Sequence, residues 1–268
     1  LDLTQVNMNN NHAALKGGAV YFVGHGGSPG PEMELTVRGG EFTDNKAKDT
    51  FSGDGGAFAL IAAKAKMEGV KIKQNFAGNG AGIYVGTGSV TSYLILTNSG
   101  TYGSTEISNN GTLDTLTASN GGGIYFHSGS LTINNGVQIK QNKAEKGGGI
   151  YVIDASCTMF QATTSTLELE ISGNTASHFG AGIYLHKSSV PTRLAMSGGK
   201  ISGNSVVDTY GNLTGEGGGI YTESTAEISL NGGTIENNQA AKGGAVYANN
   251  QCNFSIKNSA RITPSSGS

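Results

Sequence analysis

The chain has 268 residues, 44 of them glycine, with 4 prolines, no tryptophan and a formal net charge of -2 from 17 basic and 19 acidic side chains. Collagen is excluded because glycine does not fall at every third position and proline is scarce, the charge balance speaks against nucleic-acid binding, and 36% apolar residues near neutrality speak against disorder. No run of ~18 apolar residues is present to span a bilayer, Leu1-Asp2-Leu3-Thr4 carries no signal region, and two cysteines leave the redox compartment open.

Along the chain one block recurs eight times. It first reads Gly17-Gly18-Ala19-Val20-Tyr21-Phe22, then GGAFAL from Gly55, GAGIYV from Gly80, GGGIYF from Gly121 and GGGIYV from Gly147. GAGIYL from Gly180, GGGIYT from Gly217 and GGAVYA from Gly243 complete the series. Before each stands an apolar-x-x-Asn block, ending at Asn11, Asn45, Asn75, Asn110, Asn142, Asn174, Asn204 and Asn238. Such recurrence marks a solenoid. The block starts are 38, 25, 41, 26, 33, 37 and 26 residues apart, so the bare unit is 25 or 26 residues and the longer steps carry loops.

Within the bare unit 121–146 the apolar residues alternate: Ile124 with Phe126, Leu131 with Ile133, Val137 with Ile139. Period two over short β-branched stretches predicts strands, while Gly-Gly-Gly would damage a helical repeat. The expected fold is all-β: a right-handed parallel β-helix, a pectate-lyase-like solenoid, the hand following the crossover rule. It forms a single domain over 1–268 with about eight coils and ~40 Å of axial rise. The repeat is already running at both ends, so the chain is expected to be a piece of a longer surface protein.

The coil assigns each column a place. Val20, Ile83, Ile124, Ile150, Ile183, Ile220 and Val246 point inward, as do Met8, Phe42, Ile72, Ile107, Ile139, Ile171, Ile201 and Ile235 on another sheet. Each block-ending asparagine is expected at a corner, tolerating a left-handed dihedral and bonding the next coil's backbone or a stacked asparagine. The glycines shape the turn back into the next strand. An outward column of Glu41, Lys71, Glu106, Gln138, Glu170, Lys200, Thr234 and Arg261 mostly alternates charge between coils, as a parallel register favours.

These paired Gly-Gly-Ala-Val and Phe-Thr-Asp-Asn blocks resemble the GGA(I/L/V) and FxxN repeats of chlamydial polymorphic membrane proteins. The forms ISGNTASHFGAGIYL and MSGGKISGNS are similar to related β-helix surface proteins of other bacteria. The likeness runs from Met8 to Ile262. It implies a secreted, autotransporter-type passenger or cell-wall stalk at the cell surface, associated with virulence and usually an adhesin, and it carries over no catalytic residue. Anchoring, at the outer membrane or cell wall, is expected from regions beyond this stretch.

One candidate site follows from the alternation. Tyr84, Tyr125, Tyr151, Tyr184, Tyr221 and Tyr247, with Tyr21 beyond an interruption at Ala59, sit between inward residues and so face outward. An exposed aromatic row would stack on sugars or form a protein interface; the plainer alternative is a packed row of scaffold rings. Loops are the second candidate. After the tyrosine strand come Gly24–Glu32, Ile153–Thr166 and Lys187–Arg193, with Pro29, Pro31 and Pro191 inside them; after the asparagine come Lys46–Asp54, Gly111–Asn120 and Ser205–Glu216.

Catalytic signals are weak. Gly24-His25-Gly26 is similar to the GHG of polygalacturonase-type enzymes, but no Asp-Asp accompanies it. Arg38, Arg193 and Arg261 have no acid cluster of the kind that calcium-dependent lyases use. Asp44, Asp49 and Asp54 share a loop without EF-hand spacing. His127 and His186 fall two coils apart, near 10 Å, and Cys157 and Cys252 three coils apart, roughly 14 Å and beyond disulfide reach. The expectation is therefore a binding domain without enzymatic activity, cofactor or metal. Its partner would be a host cell-surface protein or glycan, with no nucleic acid and no membrane insertion by this segment; self-association is left open. The alternatives are a polysaccharide-acting lyase or hydrolase, or a passive stalk.

Overall fold

The structure is a computed structural model describing residues 1–24, 34–48, 52–88, 91–113, 116–162, 166–223, 225–249 and 251–263. Its strands stack in parallel into one 22-stranded sheet and a narrower wall of short strands, the arrangement of a parallel β-helix.

The register follows the repeat. Val20 pairs with Phe58, and the column continues through Ile83, Ile124, Ile150, Ile183, Ile220 and Val246, so Phe58 fills the one gap in the predicted series. The second inward column runs from Met8 through Phe42, Ile72, Ile107, Ile139, Ile171 and Ile201 to Ile235, and extends to Ile262. Between them a third stack holds Leu35, Ala65, Leu94, Leu131, Cys157, Leu194 and Ile228. Nearly all of these side chains are fully buried and form one continuous core. Ile124–Asn134 and Ile150–Phe160 join the tyrosine row to this middle row, whereas Thr192–Ser202 and Ala226–Glu236 join the middle row to the second column. Because successive pairs of coils run on at different corners, the three rows unite into one sheet.

The outward column Glu41–Lys71–Glu106–Gln138–Glu170–Lys200–Thr234–Arg261 is in register throughout. Lys71 lies 3.6 Å from Glu106, and Lys140 3.5 Å from the same carboxylate. These are partly exposed pairs of small individual worth.

All eight block asparagines form one ladder. In its middle, Asn142 Nδ2 donates to Asn174 Oδ1 at 3.0 Å and to the carbonyl of Ile107 at 2.9 Å, while its Oδ1 accepts from the backbone N and Nδ2 of Asn110. The pattern repeats from Asn11 to Asn238. The left-handed dihedral is not on the asparagine, contrary to expectation. It falls on the residue before it: Asn10, Asp44, Gln74, Asn109, Gln141, Gly173, Gly203 and Asn237. The reversed residue stays exposed and turns the following asparagine into the interior, where backbone groups need its amide.

Beyond the asparagine comes a short third wall. Its inward residue stands two positions later, as Ala13, Ala47, Ala77, Ala144, Ala176 and Val206, with Ala118 and Ala240 in the same row. Small side chains suit a wall this close to the glycine corner. At that corner a Cβ on Gly148 would stand 2.3 Å from the Thr175 carbonyl oxygen of the next coil, a contact only glycine avoids.

Candidate functional site

The six predicted tyrosines come together as a ladder. Ring centroids are 5.1 Å apart for Tyr84–Tyr125 and Tyr125–Tyr151, 4.7 Å for Tyr151–Tyr184, 4.9 Å for Tyr184–Tyr221 and 5.3 Å for Tyr221–Tyr247. Interplanar angles run from 6° to 24°. The spacing is that of adjacent parallel strands, so each ring covers the faces of its neighbours.

The exposed aromatic face is therefore corrected. Tyr151, Tyr184 and Tyr221 are 8%, 1% and 7% exposed, and Tyr84, Tyr125 and Tyr247 are half-buried. The alternation gave the direction of these rings but not their cover. Besides one another, they are covered by the residues just before two of the glycine corners. Phe179 stacks on Tyr221 at 4.9 Å, and the Lys16 ammonium lies 5.1 Å from the Tyr84 ring centre while pairing with Asp54. Tyr21 alone stays open, because Ala59 separates it from the ladder.

The buried rings are hard to ionise. Burial pushes the phenols of Tyr84, Tyr151 and Tyr184 well above their ordinary range and that of Tyr221 up to about 12. At the ladder's midpoint Tyr184 Oη donates to Glu223 Oε2 at 2.6 Å, and His186 Nδ1 contacts the same oxygen. Partial burial would raise the Glu223 carboxyl, but the bonds from Tyr184 and His186 prevail and hold it below the usual carboxylate value. His127 is driven down by burial, partly offset by Asp154 and reinforced by His186.

The predicted loops divide into scaffold and insertion. Ile153–Thr166 is mostly strand, since Ile150–Phe160 runs on through a single left-handed residue at Asp154, with Ala155, Cys157 and Met159 inward. Lys187–Arg193 shrinks to the short link between Ile183–His186 and Thr192–Ser202. Asp154 pins it, accepting from the backbone N of Ser188, Ser189 and Val190 and from Ser189 Oγ. After the asparagine corner, Gly111–Asn120 contains an antiparallel pair, Thr112–Leu113 with Leu116–Asn120. Ser205–Glu216 carries a tight reversal in which Val207 bridges Leu213. His25, Pro29, Pro31 and Asp49 lie outside the described residues.

Of the remaining chemical candidates, Arg38 does meet acids on both neighbouring coils, pairing with Asp2 and Glu68, and Arg193 pairs with Glu227; these are surface ion pairs, and the others do not assemble. Asp54 bonds Lys16 and Asn79, while Asp44 occupies an exposed left-handed corner. Cys157 and Cys252 are both free thiols. Among the described residues no three His, Cys, Asp or Glu side chains form a metal-sized cluster, and no helix is long and apolar enough to cross a membrane.

Comparison with known families finds a Chlamydia polymorphic membrane protein repeat at residues 232–249. The match covers one full pairing of the two blocks, Ile235-Glu236-Asn237-Asn238 followed by Gly243-Gly244-Ala245-Val246. It points to a surface or outer-membrane protein. No curated protein and no solved structure matches the chain. Asn238 and Tyr247 of the matched segment are rungs of the two ladders that run through the preceding coils.

Proposed function

We propose that this chain is an adhesin-type passenger domain of a surface autotransporter, attaching to host or neighbouring surfaces through its insertions, with no catalytic step. The observation that carries the reading is the polymorphic membrane protein repeat at residues 232–249, whose blocks recur in register along the solenoid. The two regular polar and aromatic columns are engaged internally, which leaves the insertions as the surfaces that vary from coil to coil. The partner is a host surface protein or glycan. Beads coated with the purified chain should adhere saturably to cultured epithelial cells and be displaced by the soluble chain. Adhesion no greater than that of uncoated beads would overturn the reading and favour a passive stalk.

A further inference from the structure

The insertion after Asn204 departs from the repeat and is held by its own hydrogen bonds. Asp208 Oδ1 accepts from the backbone N of Tyr210 at 2.8 Å and of Asn212 at 2.9 Å, and Oδ2 accepts from Asn212 Nδ2 at 3.0 Å. Asp208 N donates to the Asn212 carbonyl at 3.0 Å, and Gly211 N to the Asp208 carbonyl at 3.1 Å. The base is held by Val207 N on the Ala176 carbonyl and Thr214 N on the Val206 carbonyl. This scaffold presents Tyr210, which is 89% exposed and the most exposed large apolar side chain among the described residues. The backbone that carries it is already held, so binding has only the ring's own rotamer left to order.

The residues of the insertion just before Tyr210 line a groove of about 210 Å³. One side is Val207, Asp208 and Thr209; its floor is the outward face of the third wall, Thr117, Lys143, Glu145, Thr175 and Ser177. The floor follows directly from the fold, because Ala118, Ala144 and Ala176 take the inward positions between these residues. Among the described residues, the side chains of Thr117, Lys143, Glu145 and Thr175 make no hydrogen bond or ion pair. The unused set mixes donors and acceptors, and its one ammonium and one carboxylate cancel; the Asp208 carboxylate on the groove's side is taken up by Tyr210 N, Asn212 N and Asn212 Nδ2 and leaves the lining unfavourable to anions.

We infer that this groove, together with Tyr210, the residue that follows its lining residue Thr209, binds a short stretch of a neutral saccharide, which deepens and rests on the adhesin reading. A sugar hydroxyl both donates and accepts, so it satisfies a mixed array that neither a phosphate nor an ammonium ligand would. The apolar face of a pyranose ring packs on an exposed tyrosine. An added peptide strand is disfavoured, because Lys143–Lys146 and Thr175–Phe179 already pair on both edges. The groove is smaller than the ~300–1,000 Å³ pockets that engulf whole ligands, so it suits one segment of a longer chain.

The test is an array of neutral and sulfated or sialylated oligosaccharides probed with the whole chain, followed by calorimetry with the strongest neutral ligand. The expected result is saturable neutral-saccharide binding, changed less than about twofold between 50 and 300 mM salt since no net charge is neutralised. Tyr210→Ala should weaken it at least tenfold and Glu145→Gln measurably, with thermal unfolding unchanged in both. No saccharide binding, preference for anionic ligands, or binding untouched by both substitutions would overturn the inference. Bead adhesion intact in those cases leaves the adhesin reading standing, whereas lost adhesion by the unmodified chain removes it.

Discussion

Tyr184, with only 1% of its surface exposed, donates its phenolic hydrogen at 2.6 Å to the carboxylate of Glu223, one coil further along the solenoid. The bond fastens a stacked ring to the neighbouring coil at its polar edge, while its faces are held by Tyr151 and Tyr221. Removing the hydroxyl and removing the ring should therefore have different effects. Tyr184→Phe keeps the stack and leaves a half-exposed carboxylate that water can reach, costing about 1 kcal/mol. Tyr184→Ala leaves a hole between two rings and should cost ~3–5 kcal/mol. Urea unfolding of both variants checks the contrast, and equal losses would contradict it.

The same pair sets opposite pH limits. The folded Glu223 carboxyl lies below its ordinary value, so its contribution is present above the unfolded value near ~4.3 and fades as pH falls through the folded one. The ladder phenols lie above their ordinary value. Their contribution is complete below pH ~10 and is lost as pH rises beyond it, because the unfolded chain releases protons first. Thermal unfolding followed from pH 3 to pH 12 should show a loss on each flank. Tyr184→Phe should shift the alkaline one upward.

The asparagine ladder should be the most sensitive polar element. Asn142 is fully buried and each of its amide atoms makes two bonds. Asn142→Ala strands donors of Asn110 and acceptors at Ile107 and Asn174, with an expected loss of about 3 kcal/mol or more. Asn142→Asp should be at least as damaging at neutral pH, since it buries a charge against the two acceptors that the amide now serves. Differential scanning calorimetry distinguishes these from Gln141→Ala at the adjoining exposed corner, where the expected change is within about 1 kcal/mol.

Asp154 should order a loop without contributing to the core. Asp154→Ala removes the acceptor for Ser188, Ser189 and Val190, so amide exchange at those three positions should accelerate. Exchange at Ile150 and Ile183, within paired strands, should be little changed.

Much of this scaffold was legible in the sequence, because coils of equal internal order repeat every inward and outward position. The charge column from Glu41 to Arg261 and the stacking of Ile124 on Ile150 follow from alternation alone. Exposure was not legible for Tyr151, Tyr184 and Tyr221. Alternation reports which way a side chain leaves its strand, whereas their cover comes from rings one coil away and from Phe179 across the glycine corner. The Asn-x-Ala pattern signals the third wall in the sequence itself, yet it is overshadowed by the stronger glycine block. Ile150–Phe160 shows the same difficulty: Asp154 resembles a loop residue, but Ala155, Cys157 and Met159 keep the strand's period through it. The groove beside Val207, Asp208 and Thr209 depends on how an insertion folds against the wall, which local spacing does not encode.

The claim that binding resides in the insertions and not in the ladders is tested most directly by bead adhesion to epithelial cells with three forms of the chain: unmodified, Tyr210→Ala and Tyr184→Phe. The account predicts saturable adhesion by the unmodified chain, a loss of at least tenfold in Tyr210→Ala, and full retention in Tyr184→Phe. Retention in Tyr210→Ala together with loss in a still-folded Tyr184→Phe would contradict it and return the binding face to the tyrosine ladder.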